Sequence, residues 1–251
     1  MKKFAYIHKL IYFCSVLLNY YTMIHVQDIT FGYRKNQKVW ENFSIEFKDG
    51  GIYGLLGKNG VGKSTLLYLI SGLLRPAEGM VDVDGHMPHK REVAFLQDIF
   101  IVPEEFALPN VSLRQYVAAI RPFYPNFSVE TLHMVLGEFG MGAEQHLGQL
   151  SMGQKKKVYV AVALASNTRY LLMDEPTNGL DILSKKQFRR AVVAGMNPQK
   201  TLIVSTHNVH DVENLLDHVV IVSNKGVLLE QAIGADSVDL ENLFVETVGR
   251  E

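Results

Sequence analysis

The chain has 251 residues, 47% of them hydrophobic and 20% charged, with a formal net charge of −1. That is apolar material for one large domain with a sizeable core, which argues against disorder. The near-neutral balance argues against a nucleic-acid binder that works through a broadly basic surface. The single cysteine, Cys14, rules out a disulfide framework and a cysteine-cluster metal site and fits a reducing compartment.

Residues 1–22 (MKKFAYIHKLIYFCSVLLNYYT) differ in character from the rest of the chain. Their apolar run, Leu10 to Leu18, is too short to span a bilayer, and no small-x-small cleavage site comes after it. Met23 opens a more ordinary beginning, MIHVQDITFGY, so residues 1–22 are expected to be a miscalled start or leader, with the domain covering 23–251. No other apolar run approaches the length of a membrane span, and neither repeats nor low-complexity linkers are visible.

From Ile24 to Phe47, alternating apolar and polar residues predict antiparallel strands with a turn at RKNQ. Ile52 to Leu56 then reads as a buried strand. Gly57, Gly60 and Gly62 punctuate the loop after it, and Ser64 to Leu74 has helical spacing with a stop at Gly72. GMVDVDG reads as another short strand. Leu113 to Ala165 is dominated by helical periodicity, broken at RPFYPNFS and GMG. RYLLMDE, TLIVSTH and HVVIVSNKGVLLE are β-rich, with helical stretches expected near Ser184–Met196 and Asn208–Leu216. Strands alternating with helices imply an α/β fold. The expected architecture is a mostly parallel sheet core, an antiparallel β-rich N-terminal subdomain and an inserted helical subdomain at about 105–165.

The strand–loop–helix at Leu55 carries the clearest chemistry. Gly57, Gly62, Lys63 and Ser64 satisfy G-x-x-x-x-G-K-[ST]. Glycines let backbone N–H groups crowd around an anion, and the helix N-terminus adds unpaired N–H groups and a favourable dipole. The segment Gly57, Lys58, Asn59, Gly60, Val61, Gly62, Lys63, Ser64 and Thr65 is therefore a phosphate-binding candidate. Lys63 would reach the β- and γ-phosphates and the Ser64 hydroxyl would ligate Mg²⁺. In YLLMDEP, Asp174 and Glu175 end an apolar strand, where ligands of a parallel sheet collect. Asp174 suits Mg²⁺, and Glu175 suits a general base acting on water. LSMGQKKK, Leu150 to Lys157, precedes a helix, with Ser151 a good N-cap and Gly153 allowing close approach of an anion.

The order of these features is specific: phosphate loop, helical insertion, LSMGQ, acidic strand, NGLD, then a strand ending at His207. It resembles the ATP-binding subunits of ATP-binding cassette (ABC) transporters from about Met23 to the C-terminus. The resemblance implies a P-loop ABC ATPase that binds ATP and Mg²⁺. It matches Tyr33 to an adenine-stacking aromatic, and Ser151, Met152, Gly153 and Gln154 to a signature that contacts ATP held by a partner subunit. Met152 departs from the usual first glycine. Asp181 matches a loop that crosses the dimer interface, and His207 a residue that contacts the γ-phosphate and orients the base. For the residue that ligates Mg²⁺ and couples to the membrane, two positions stay open. Glu104, in IFIVPEEF, keeps the downstream ALPNVSL spacing and is favoured; Gln97 is the alternative.

The resemblance also implies a head-to-tail dimer, of two copies or with a second ABC subunit, closing on two ATP molecules. It would power a separate transmembrane permease from the cytoplasmic face of the membrane, with no nucleic-acid partner. FYPNFS and PTNGLD look most like multidrug- or antibiotic-exporter cassettes. The alternative is a soluble ABC ATPase acting in complex assembly or another non-transport process. Translation-type members carry two cassettes and repair-type members long coiled-coil insertions, and neither feature occurs here. A non-hydrolysing regulator is disfavoured because Glu175 and His207 are both present.

Overall fold

The computed structural model describes residues 23–34, 36–233 and 239–249; the expected leader and Cys14 lie outside the described residues. Three strands, β1 (Met23–Phe31), β2 (Trp40–Lys48) and β4 (Glu78–Val83), form an antiparallel sheet in the order β2-β1-β4. Ile24 pairs with Phe47 and Val83, and Val26 with Ile45 and Val81, all buried. Alternate residues such as Glu46 and Asp82 face outward, as the two-residue period requires.

The second sheet has the order β5-β6-β7-β3-β8-β9. Its strands are β3 (Gly51–Leu56), β5 (Ile99–Val102), β6 (Tyr170–Asp174), β7 (Thr201–Thr206), β8 (His218–Ser223) and β9 (Gly226–Ala232). The first five run parallel, and β9 returns antiparallel along β8. Every residue of β6 and β7 is buried, which is why these segments read as continuous apolar runs rather than alternating ones.

Seven helices are described: α1 (Lys63–Ile70), α2 (Val93–Asp98), α3 (Leu113–Ile120), α4 (Val129–Glu138), α5 (Met152–Ala165), α6 (Ile182–Gly195) and α7 (Leu240–Gly249). They help divide the interior into two cores. Leu55, Tyr170, Leu172 and Ile203 point one way, onto α1 and the antiparallel sheet. Leu56, Leu171, Met173, Leu202 and Val204 point the other way, onto α4, α5 and α6. At the far end of α5, Lys200 Nζ donates to the carbonyls of Leu164 (2.9 Å) and Gly195 (2.6 Å), tying together buried helix-end acceptors of α5 and α6.

The expected strands and most helices are present, with α1 ending at Ile70 and Gly72 adopting φ +72° just beyond it. One expectation is corrected. Asn208–Leu216 is not an α-helix but two 3₁₀ turns, Val209–Asp211 and Glu213–Leu215. Its buried residues Val209, Val212 and Leu215 recur every third position, the 3₁₀ period, and Val212 leaves helical geometry at φ −128°. Neither α2 nor α7 was anticipated from the sequence.

Candidate nucleotide site

The strand order brings the carboxyl ends of β3, β6 and β7 side by side. A cleft of about 390 Å³ opens above them. Tyr33, Asn59, Gly60, Gly62, Lys63, Ser64, Thr65, Glu104, Glu175 and His207 line it, joined by Val39 and Asn178. A larger concavity of about 900 Å³ lies on the outer face of the antiparallel sheet around His25, Glu46 and Met80 and contains none of these groups.

The loop between β3 and α1 owes its shape to Gly62. Its φ is +106°, and a Cβ there would sit 2.7 Å from the Trp40 ring, so a side chain is excluded on both counts. Trp40 Nε1 donates to the Gly62 carbonyl at 3.2 Å, pinning the loop onto the antiparallel sheet. No side chain caps α1, which leaves the first-turn N–H groups of the helix facing the cleft. Lys63 is only 6% exposed. Its Nζ donates to the carbonyls of Gly57 (2.8 Å) and Lys58 (3.2 Å) and lies 3.7 Å from Glu175 Oε1. Burial holds its ammonium below the usual lysine range, against the raising effect of Glu175 and Asp174. Gly57, Lys58 and Val61 belong to the loop but do not line the cleft.

Beneath the loop, Asp174 is 1% exposed, and its Oδ1 accepts from Ser205 Oγ. Its Oδ2 is buried with no hydrogen-bond partner. Burial raises its carboxyl above the usual range, while the hydrogen bond from Ser205 and the nearby Ser64 hydroxyl oppose that rise. A buried carboxylate oxygen without a partner, beside the Ser64 hydroxyl, is a fitting donor pair for a hard cation whose other ligands are phosphates and water. Among the described residues no cluster of three or more His, Cys, Asp or Glu side chains is poised to hold a metal.

Glu175 is held at every polar atom. It adopts φ +43°, unusual for a residue preceding proline. Its N–H donates to the Ser205 carbonyl at 3.0 Å, and its Oε2 accepts from Thr206 Oγ1 at 3.1 Å. His207 Nδ1 lies 2.9 Å from its Oε1, close enough for a ring N–H to donate. Glu104 Oε1 accepts from Asn178 Nδ2 at 2.7 Å. Glu104 thus stands in the cleft just past β5, whereas Gln97 sits in α2 and lines a separate groove. Tyr33 is 62% exposed at the rim, with its hydroxyl 3.2 Å from Thr65 Oγ1.

Ser151, Met152, Gly153, Gln154 and Asp181 are not brought to this cleft. Ser151 caps α5 in a reciprocal box: its Oγ accepts from Gln154 N (3.3 Å), and Gln154 Oε1 accepts from Ser151 N (3.0 Å). Asp181 caps α6 by accepting from Ser184 N at 2.7 Å. These caps leave a face with exposed Met152, Ile182 and Leu183. Sequence reasoning assigned no role to Ser205, Thr206 or Asn178, although they stand inside or beside the STH and NGLD segments, nor to Trp40 or Lys156, whose contacts are purely tertiary.

Known proteins resemble this chain in sequence and in fold. A family model described as ABC transporter matches residues 40–178, more than half of the chain. The bacitracin transport ATP-binding protein of Bacillus licheniformis is 32% identical over 216 residues, covering 84% of this chain and 69% of that one. The lantibiotic transport ATP-binding protein of Streptococcus pyogenes is 26% identical over 224 residues, covering 88% and 96%. A solved ATP-binding subunit of an ABC transporter superposes with a TM-score of 0.76 at 24% identity, covering 90% of this chain and all of that one, a likeness of fold. The chain belongs to the ABC transporter family, as an ATP-binding and ATP-hydrolysing subunit that serves transport.

Proposed function

We infer that the chain works as one half of a head-to-tail dimer that closes on ATP and drives a separate membrane subunit. One observation carries this reading. The cleft holds the phosphate loop, Glu175 and His207, while the N-terminus of α5 opens elsewhere on an exposed face. The Ser151 hydroxyl uses an acceptor site in its own cap and keeps its proton free to donate. Those groups serve a nucleotide bound by another chain.

In this reading the α1 N–H groups and Lys63 hold the β- and γ-phosphates, and Tyr33 stacks on the base. Asp174, Ser64 and Glu104 would hold Mg²⁺, which would supply neutralisation of the phosphate charge. Glu175 takes the proton of the attacking water, and His207 fixes the carboxylate that receives it. Ser151, Gly153 and Asp181 act on the partner's ATP. Hydrolysis removes the γ-phosphate contacts and the dimer opens.

Among the described residues no helix is long and apolar enough to cross a membrane, so the motion is passed to a permease, with this chain peripheral on the membrane's cytoplasmic side. The groove between α2 and the helical region at about 105–165, lined by Val93, Leu96, Phe100, Phe123 and Tyr124, offers the apolar seat such a partner needs. Val93 and Phe123 are both exposed there. The two relatives' names, for bacitracin and lantibiotic transport, support an antibiotic-type cargo chosen by the permease.

Glu175→Gln tests the reading. Turnover is expected to fall by about 10² or more while ATP binding persists, and the variant is expected to elute as a dimer in ATP. Wild-type hydrolysis by Glu175→Gln removes the residue from its role, and a monomer in ATP contradicts the dimer.

A further inference from the structure

The signature helix makes one contact with the catalytic turn that none of these roles uses. Lys156, on α5, is 8% exposed, although it stands in the run QKKK, which reads as a solvated charge cluster. Its Nζ donates to the Glu175 carbonyl at 3.2 Å and to the Asn178 carbonyl at 2.9 Å. The Glu175 carbonyl belongs to the peptide bond with Pro176, which has no N–H, and its other partner is Asn178 N at 3.1 Å. Lys156 thus closes the turn on which the general base stands. It also fixes the backbone of Asn178, whose side chain holds Glu104. Desolvation lowers the Lys156 ammonium from its usual range, and Glu104, Glu175 and Asp174 pull it back up.

We propose that Lys156 is a positioning residue through which the signature helix of one chain sets the alignment of Glu175 in that same chain. The left-handed turn of Glu175 is strained for a residue before proline, and such conformations persist only when neighbours over-determine them. Ser205, Thr206 and His207 hold Glu175 from β7 and the residue after it. Lys156 is the hold that comes from α5. It lies five positions after Ser151, roughly 7–8 Å along the helix axis. A partner nucleotide drawing on the α5 N-terminus therefore loads the peptide that carries the base, linking the two composite sites of a dimer. The proposal rests on Glu175 being the general base and on the shared site.

The test uses the full chain and four variants: Lys156→Met, which keeps the stem and loses every donor, Lys156→Arg, Glu175→Gln, and Lys156→Met combined with Glu175→Gln. Lys156→Met is expected to lower kcat by about 10- to 10²-fold, the range for a small misplacement of a reacting group. The Kd for ADP should stay unchanged, because Lys63 and the phosphate loop are untouched. Lys156→Arg should recover part of the rate. In the Glu175→Gln background, Lys156→Met should cost nothing further, since the group it positions is gone. Should Lys156→Met fail to fold, Lys156→Ala, which also lacks every side-chain donor, replaces it with the same expected and contrary outcomes. A wild-type kcat, a raised Kd for ADP at unchanged kcat, or an equal loss in the Glu175→Gln background overturns the proposal. Retained turnover in Glu175→Gln overturns the general-base reading and this proposal with it. Lost turnover there beside a wild-type kcat in Lys156→Met overturns this proposal alone.

Discussion

The phosphate loop and the start of α5 are both glycine-bearing helix N-termini, yet they are built in opposite ways. At Gly62 the fold itself demands glycine: φ is +106° and Trp40 fills the space where a Cβ would be. At Gly153 a Cβ would meet only Leu180 Cδ2, at 3.9 Å, in ordinary contact. Nothing in the chain's own packing calls for glycine there. The first N-terminus has no side-chain cap and opens into a cleft, whereas the second is fully boxed by Ser151 and Gln154 and faces solvent. One is a loop whose shape is dictated by the chain's own packing. The other is a surface whose composition answers to something outside it.

Substituting the two glycines separates these accounts. Gly62→Ala is expected to destabilise the fold by about 2–5 kcal/mol, combining positive-φ strain with overpacking against Trp40, as read by denaturant unfolding. A loss below about 1 kcal/mol would mean the loop relaxes freely and the tight Trp40 contact is not what shapes it. Lys200 provides a second contrast, because it fixes the far end of α5 from within the core whereas the near end is capped at the surface. Burial lowers its ammonium to about 8 from 10.5. The folded lysine therefore loses its proton before the unfolded one, and the native state gains stability as pH rises from about 8 to 10.5. Compared with Lys200→Met, the parent chain should gain up to roughly 3 kcal/mol over that window, an upper bound because the two carbonyl acceptors favour the charged form. A difference that is flat with pH would mean the lysine keeps its proton throughout.

The smallest effect on the fold is expected at Gly153. Gly153→Ala should leave stability unchanged or raise it by up to about 1 kcal/mol, as alanine favours helix. Its added methyl should weaken ATP-dependent dimerisation, measured by the elution of the Glu175→Gln background in ATP. Destabilisation by more than about 1 kcal/mol would show that the fold needs this glycine after all, erasing the contrast with Gly62.

The phosphate side was legible because its signals are local. An apolar run, a glycine loop and a helical period succeed one another in Ile52–Ile70, and the acidic pair ends a strand that needs no partner to be recognised. The supports were not legible. Trp40 meets Gly62 from 22 positions away, Lys156 meets Glu175 from 19, and Ser205 meets Asp174 from 31. No local pattern tells a buried lysine in QKKK from a solvated one. Gln97 and Glu104 each adjoin an apolar run; the ALPNVSL spacing favours Glu104 in the sequence, and the position of β5 brings it to the cleft. α2 has six residues, too few to display a period, and α7 fully buries only Leu240, so its amphipathic signal is weak.

The shared site is the central claim, and mixing two defective chains tests it most directly. Lys63→Ala damages the phosphate loop and Ser151→Arg blocks the opposite face, so each homodimer carries two damaged sites. In a mixed dimer one composite site carries both lesions and the other carries neither. The account predicts that the mixture hydrolyses ATP where neither parent does, approaching half the parent chain's rate per mixed dimer, with those dimers verified by ATP-dependent crosslinking. Crosslinked mixed dimers without recovered activity would contradict sites that fire independently, and the absence of any ATP-dependent dimer would contradict the shared site itself.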